Sequence, residues 1–432
     1  MKKKDLERKM QNYQTSKEDF FKWSFFYIFA FYLFLIGLGG INLKSYGIPF
    51  SIGGSLKKIV IFPLLLAVLY SFFNFKNFLK QYAVPLLTAT TLLAWVLLTN
   101  KFHTPYKSDN QFLIYFITGI ISFILTLRAF SCKQQFLTLF LVLIIGISSS
   151  ILKAEFDIIF TANKQFGLDS SDSIRLFTPI GHPNFLGAFM VLLLPYFIPT
   201  WNYIKKDKTH ILLFFTTLTI SFSGLIFSYS RTAWIASFIT IILLGYIYSN
   251  KKRLIIILTL ILLNILLLLN HDSFKYKGEN PILKRASSLT SIKNDPNLLE
   301  RIFCWKSSIE IAKDNLLTGI GAGNNRFEDK FKIYKQPQAR LLMPHPHNVF
   351  LHILTSFGLP GLILFLMITS IGIFKSIRTW KSTKNLQLKS FHTGALLAVT
   401  GFLIYSCFDS AILAERVSPM IWMTIASLYY KG

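Results

Sequence analysis

Apolar residues in this chain come in long blocks, the first being "FFYIFAFYLFLIGLGG" (Phe25–Gly40), and their length decides the class of fold before any motif is read. Blocks of about 17–25 apolar residues are long enough to cross a hydrocarbon core about 30 Å thick as helices. A membrane β-barrel would instead show short segments of alternating polarity. Twelve spans are expected, at about 24–40, 59–74, 83–99, 111–128, 136–152, 184–201, 211–229, 233–249, 254–270, 347–374, 391–408 and 412–430. The fold class expected is therefore all-α, a polytopic membrane bundle of about 12 transmembrane helices. A hydrophobic content of 52% and a mean hydropathy of +0.48 agree, being too apolar for an ordinary soluble domain. The first block follows a polar stretch and has no small-residue cleavage site, so it reads as a membrane helix and not a removable signal.

The net charge of +26 has a simple source. With "MKKKDLERKM" in the cytoplasm and the spans alternating, the cytoplasmic segments hold half of the 46 Lys and Arg residues. Over half of the rest fall in one long external loop, and long loops are largely exempt from the positive-inside rule. Both termini are then cytoplasmic. The basic residues are spread over many loops, so lipid and not nucleic acid is the expected surroundings. Cys132, Cys304 and Cys407 lie far apart and predict neither a disulfide framework nor a cysteine metal site. The organisation expected is a cytoplasmic segment at 1–23, nine helices over 24–270 with an external loop at 153–183, a long external loop at 271–346, and three helices over 347–432.

Long loops on a rigid scaffold tend to carry function. Within 271–346 lies "NLLERIFCWKSSIEIAKDNLL", where Leu298, Ile302, Trp305, Ile309 and Ala312 recur at helical spacing. This predicts an amphipathic helix on the outer membrane surface or against the bundle. "DPN" at Asp295–Asn297 is its start signal, and the glycine-rich "TGIGAGNN" at Thr318–Asn325 its stop. The glycines resemble a nucleotide motif only superficially, because no strand precedes them.

Several polar residues gather near the expected external face. Arg231 stands in "SYSRTAW", between two spans with almost no loop. A guanidinium there either snorkels to the interface or meets a partner distant in sequence, since no acidic residue is near. The planar fork of arginine suits phosphate oxygens, and two or three arginines converging outside a membrane would suit a diphosphate. Arg301 and Arg326 in the long loop are candidates, each alternatively a solvated helix residue; Arg175 is another, alternatively paired with Asp169 or Asp172. His182 lies in the same upstream segment, "RLFTPIGHPN". "HPHN" then places His345, His347 and Asn348 at the end of the long loop. A metal site needs three or four suitably spaced ligands, which the sequence does not present, so no metal and no cofactor are expected. Histidine near a helix start can take a proton from a hydroxyl nucleophile, with Asn348 orienting the ring or holding substrate; a plain helix-capping lip is the alternative. His352, one turn further, reads as helix packing.

"SRTAW", "ERIFCWKSSIEIAKDNLLTGIGAGNNRF" and "HPHNVFLHILTSFGLPGLILF", in that order, resemble the O-antigen ligase and polymerase superfamily, and "RLFTPIGHPNFLGAFMVLLLP" fits its upstream segment. The resemblance implies a metal-independent, membrane-embedded glycosyltransferase. Such enzymes move a glycan from an undecaprenyl diphosphate carrier to an acceptor on the periplasmic face of the bacterial inner membrane. It further implies that Arg231 and Arg301 attend the diphosphate and that His347 activates or orients the acceptor hydroxyl. His345 and Asn348 would support it. Apart from the resemblance, Arg175, His182 and Arg326, with His345 and Asn348, are the residues expected to bind substrate. Lipid A–core is the acceptor expected of a ligase. A polymerase of the same superfamily would use another lipid-linked repeat, and a further relative a protein hydroxyl. A lipid-linked glycan transporter is disfavoured, because the singled-out residues lie at one face and not at the midplane.

Overall fold

The structure, a computed structural model, describes residues 27–30, 33–34, 41–42, 51–52, 75–103, 109–129, 136–160, 178, 181–204, 207–247, 295–414 and 416–431. Among them the chain is helical, save one two-residue antiparallel pair in which β1 (Ile41–Asn42) faces β2 (Ser51–Ile52). Helix α1 is Phe75–Lys101, α2 Asp109–Ala129, α3 Phe136–Phe160 and α4 Pro183–Leu193, which runs through a 3-10 turn at Leu194–Tyr196 into α5, Phe197–Tyr203. Then come α6 (Lys208–Phe227), α7 (Arg231–Ile247), α8 (Pro296–Asp314), α9 (Asn324–Tyr334), α10 (Val349–Ser382), α11 (Leu386–Ser406) and α12 (Val417–Ser427). The expected spans 24–40, 59–74 and 254–270, and the segment 1–23, lie wholly or largely outside the described residues.

Among the described residues, six helices are long and apolar enough to cross a membrane: Phe78–Lys101, Gln111–Ala129, Pro183–Asn202, Lys208–Phe227, Val349–Ser382 and Leu386–Ser406. The chain is a multi-pass membrane protein. Its boundaries differ from the sequence expectation in instructive places. Helix α10 continues to Ser382, past the expected end at 374, because nothing in "KSIRTWKS" breaks a helix before the Asn385 side chain caps α11. Helix α3 runs on to Phe160, so the loop expected from 153 begins later. The expected span 412–430 is corrected most: Ala411–Ala414 is turn, and α12 has only 11 residues, about 16 Å. It is buried on all sides. Trp422 sits edge-on against Phe116, Phe123 and Phe365, and any side chain at Gly119 would collide with its ring.

The long loop also differs from expectation. Helix α8 forms where predicted, but its buried face is Glu300, Cys304, Ser307, Ser308, Ile311 and Ala312, packed towards α10. Of the expected apolar stripe only Ala312 is buried, and Ile309 is exposed. Small and polar residues win because helix–helix approach inside a membrane protein is set by side-chain size and hydrogen bonding. Helix α9, unpredicted, packs Phe327 and Phe331 with Cys304, Ile311 and Ile320 into a second small core.

The glycine-rich segment after α8 is a docking element. Helix α10 is broken at Gly358 (φ 69°), just ahead of Pro360. The break frees backbone groups that must find partners. Ile320 N donates to Thr355 O at 2.8 Å, Gly321 N to Ser356 O at 2.9 Å, Trp95 Nε1 to Phe357 O at 2.8 Å, and Leu359 N to Leu316 O at 2.7 Å. Two motifs that look independent in sequence, "GIGAG" and "FGLPG", are thus one interlocked joint. A Cβ on Gly358 would stand 2.2 Å from Leu317 O, in a backbone region that L side chains rarely adopt. Gly358→Ala is expected to destabilise the protein by about 3 kcal/mol, through strain and loss of this docking. Thermal unfolding in detergent checks it; an unchanged midpoint would show that the joint carries no stability.

Candidate active site

Of the residues singled out from sequence, Arg301, His345, His347 and Asn348 gather at one end of the bundle, around a residue the sequence reading missed. Asp409 follows α11 and is buried. Its Oδ1 accepts from the Ser410 backbone N–H at 2.8 Å and lies 3.1 Å from His347 Nδ1. Its Oδ2 accepts from Asn184 Nδ2 at 2.9 Å and faces the Arg301 guanidinium at 3.7 Å. Arg301 also donates to Phe408 O. Four elements therefore converge on one carboxylate: the start of α4 through Asn184, α8 through Arg301, the approach to α10 through His347, and the end of α11. The tyrosine hydroxyl of Tyr405 fixes Asn184 from behind by donating to its carbonyl at 3.0 Å.

Local backbone explains how the histidines arrive there. Pro346 and the Asn348 cap stop the chain from entering α10 early. Asn348 Oδ1 accepts from Leu351 N at 3.0 Å, and its Nδ2 donates to Cys407 O at 3.0 Å. His347 is held at φ 52°, an uncommon conformation for a residue with a side chain, and such strain gathers at functional sites. Its N–H donates to His345 Nδ1 at 3.3 Å. The His345 ring lies 4.1 Å from that of His347 and stacks on His352 at 5.8 Å. His352 is more than helix packing, since its Nδ1 meets Ser410 Oγ at 2.7 Å, next door to Asp409.

Arg231 opens α7 after Tyr229, itself at φ 51°, and makes an ion pair with Asp295. Asp295 also caps α8, accepting from Asn297 N at 2.9 Å. Burial alone would raise the Asp295 pKa, but the Arg231 contact and the cap bonds outweigh it and hold the carboxyl below its usual range. Arg301 stands six residues on, about 9 Å along the helix axis. The remaining candidates divide. His182 caps α4, accepting from Asn184 N at 3.2 Å, and so steadies the residue that reaches Asp409. Arg326 sits apart from these contacts, buried under the glycine-rich segment and donating to Ile320 O at 3.2 Å. Arg175 lies outside the described residues.

Residues 216–366 match the O-antigen ligase family model. Over those residues the chain is similar to the O-antigen ligase family, and the match supports that superfamily. No curated protein matches the chain. The O-antigen ligase match takes in Arg231, Arg301, Arg326, His345, His347 and Asn348, and ends before Asp409. Members of the O-antigen ligase family are membrane glycosyltransferase-like enzymes, and their substrates are lipid-linked glycans. Asp409, Asn184 and Asp295 had one signal in the sequence. Asp409 is a lone acid in a short turn between apolar blocks, as Arg231 is a lone cation in another. Either would be costly there unless paired.

His345, His347 and Asp409 offer three possible ligand atoms within 4.8 Å of one another. The Asp409 oxygens are already taken by two N–H donors, an imidazole and a guanidinium, and the guanidinium would repel a cation. The arrangement is a hydrogen-bonded His–Asp pair. With Nδ1–H turned to the carboxylate, His347 Nε2 is left as the proton acceptor. His345 must stay neutral at Nδ1 to accept from His347 N. Burial, with His347, His352 and Arg301 nearby, holds its pKa well below the usual histidine value, against a weaker pull from Asp409. Asp409 is held far below the usual carboxylate range: its burial is overcome by His347 and Arg301.

Both shifts act in the same direction on stability. Below about pH 6.5 the unfolded chain takes up a proton at His345 that the folded chain resists, so stability falls as pH drops from there. The Asp409 contribution is present above its unfolded value of about 3.9 and is lost only as pH falls through the depressed folded value. The unfolding midpoint in detergent is therefore expected to drop between pH 7 and pH 5, and His345→Gln to flatten that drop. An equal drop in the variant would place its cause elsewhere.

Proposed function

We propose that this chain is an O-antigen ligase-type glycosyltransferase of the bacterial inner membrane, moving a glycan from undecaprenyl diphosphate to a lipid A–core acceptor on the periplasmic face. The observation that carries the reading is the His347–Asp409 pair held against Arg301. The charge pattern of the loops supports an external position for this end of the bundle, with both termini cytoplasmic.

The acceptor hydroxyl attacks the anomeric carbon while His347 Nε2 takes its proton. The bond from that carbon to the diphosphate oxygen breaks, and the electron pair leaves with the carrier. Arg301 and Arg231 stabilise the charge that gathers on the leaving diphosphate. Asp409 keeps the His347 tautomer and stabilises the imidazolium. Attack opposite the leaving group inverts the anomeric centre. His345 and His352 support His347, while Asn348 fixes the start of α10.

Purified protein supplied with undecaprenyl-diphosphate glycan and lipid A–core is expected to form an inverted glycosidic bond, at a rate that a chelator leaves unchanged. Extension of a second lipid-linked repeat, with lipid A–core ignored, would make the chain a polymerase. Loss of activity on chelation, restored by one divalent metal, would overturn the His–Asp base.

A further inference from the structure

The Arg231–Asp295 pair is not explained by a diphosphate site alone, because Asp295 sets a negative charge where the site receives an anion. Resting on the reading above, we propose that Asp295 competes with the diphosphate for Arg231, so that it weakens the hold on the spent carrier and sets the rate of its release.

Three features support this. The first is charge. Arg231 and Arg301 are matched by Asp295 and Asp409. Asp409 is committed to His347, Asn184 and the Ser410 N–H, and cannot yield without dismantling the base. Asp295 makes its ion pair at a helix end, and its cap bond from the Asn297 N–H stays with it when the guanidinium is drawn away.

The second is the change in the ligand during reaction. The donor diphosphate is substituted at both ends. Once the bond to the sugar breaks, the carrier ends in a terminal phosphate, which carries about one more negative charge near neutral pH. The product is thus the more strongly held anion, and release is the step in need of help. A carboxylate that reclaims the Arg231 guanidinium penalises product more than donor.

The third is connection. Asp295 is also the cap of α8, the helix that carries Arg301. When diphosphate displaces it from Arg231, the first turn of α8 is released from α7. The two cations of the site are therefore linked through one helix end.

Asp295→Asn separates charge from fold, since asparagine caps a helix as well as aspartate does. Asp295→Ser does the same with a shorter cap. Binding of undecaprenyl diphosphate to the full-length protein in nanodiscs is measured for all three forms, together with its inhibition constant against glycan transfer. Both variants are expected to bind the carrier about tenfold tighter and to be inhibited at correspondingly lower concentration, with a steeper salt dependence of release. Hydrogen exchange in residues 295–301 is expected to rise on carrier binding in the wild type and to start high in the variants. Equal or weaker carrier binding by both variants, with normal binding by the wild type, overturns the role of Asp295 alone. If the wild type itself binds no carrier, the donor reading falls and this inference falls with it.

Discussion

Asp409→Asn is expected to lower glycan transfer by about 10²–10⁴-fold, close to the loss from His347→Ala, while donor binding changes little. The size follows from the role of a general base and its orienting group, which contribute at this level together and not additively. The direction follows from the contacts. One face of the carboxylate accepts from His347 and the Ser410 N–H, the other from Asn184, with Arg301 alongside. An amide can satisfy the first face with its oxygen only by turning its NH2 group on Asn184 Nδ2 and Arg301, donor against donor. If it turns the other way, it donates to His347 Nδ1, forces the proton to Nε2 and removes the base. The first orientation breaks the hold on Asn184 and Arg301, and the second disables His347 without removing it. Single-turnover transfer at saturating donor is the measurement, with the unfolding midpoint as control. A variant that is folded and transfers at the wild-type rate would remove Asp409 from the mechanism and leave His347 without an orienting partner.

Arg301→Ala is expected to cost about 10²–10³-fold in transfer and to reduce stability as well. The first effect is loss of a cation positioned where charge develops on the leaving group. The second arises because Asp409 is buried and Arg301 is among the causes of its low pKa. Removing one partner of a buried pair leaves the other charge uncompensated, at a cost of about 3 kcal/mol, here lessened by the hydrogen bonds from Asn184 and Ser410. Arg301→Lys restores the charge but not the fork that reaches Phe408 O and Asp409 at once. It is therefore expected to recover much of the stability and only part of the rate. Full recovery of rate by lysine would mean that charge alone is used there. No change in either variant would leave Arg301 as a solvated helix residue.

Arg231, His345, His347 and Asn348 were legible as candidates because each is a polar residue at the edge of an apolar block, where an unpaired group is expensive, and Arg301 as a basic residue of the long loop's helix. The pairing was not legible. Asp409 lies 62 residues from His347 and Asn184 lies 225 residues from Asp409, and nothing local marks them as partners. The glycine-rich segment was readable as a turn, but not as the partner of the Gly358 break. Arg326, expected to contact substrate, instead lies under the loop, where it donates to Ile320 O. The stripe predicted for α8 failed because it assumed that its apolar residues meet the bundle, whereas close packing on α10 favours Ser307, Ser308 and Ala312.

The sequence by itself determined the class of fold, because the length of apolar blocks and the need to satisfy every backbone group in lipid leave helices as the solution. It also determined which residues are unusual, through their charge at apolar boundaries, and through the motifs that mark the O-antigen ligase domain. Tertiary structure alone decided what those residues do to one another. His347 meets the Asp409 carboxylate only because the far end of the chain delivers it. Arg301 stands at that carboxylate and Arg326 under the loop according to which acid or carbonyl the packing brings within about 3–4 Å. Such contacts depend on how helices separated by hundreds of residues pack, and that information is distributed over the whole core.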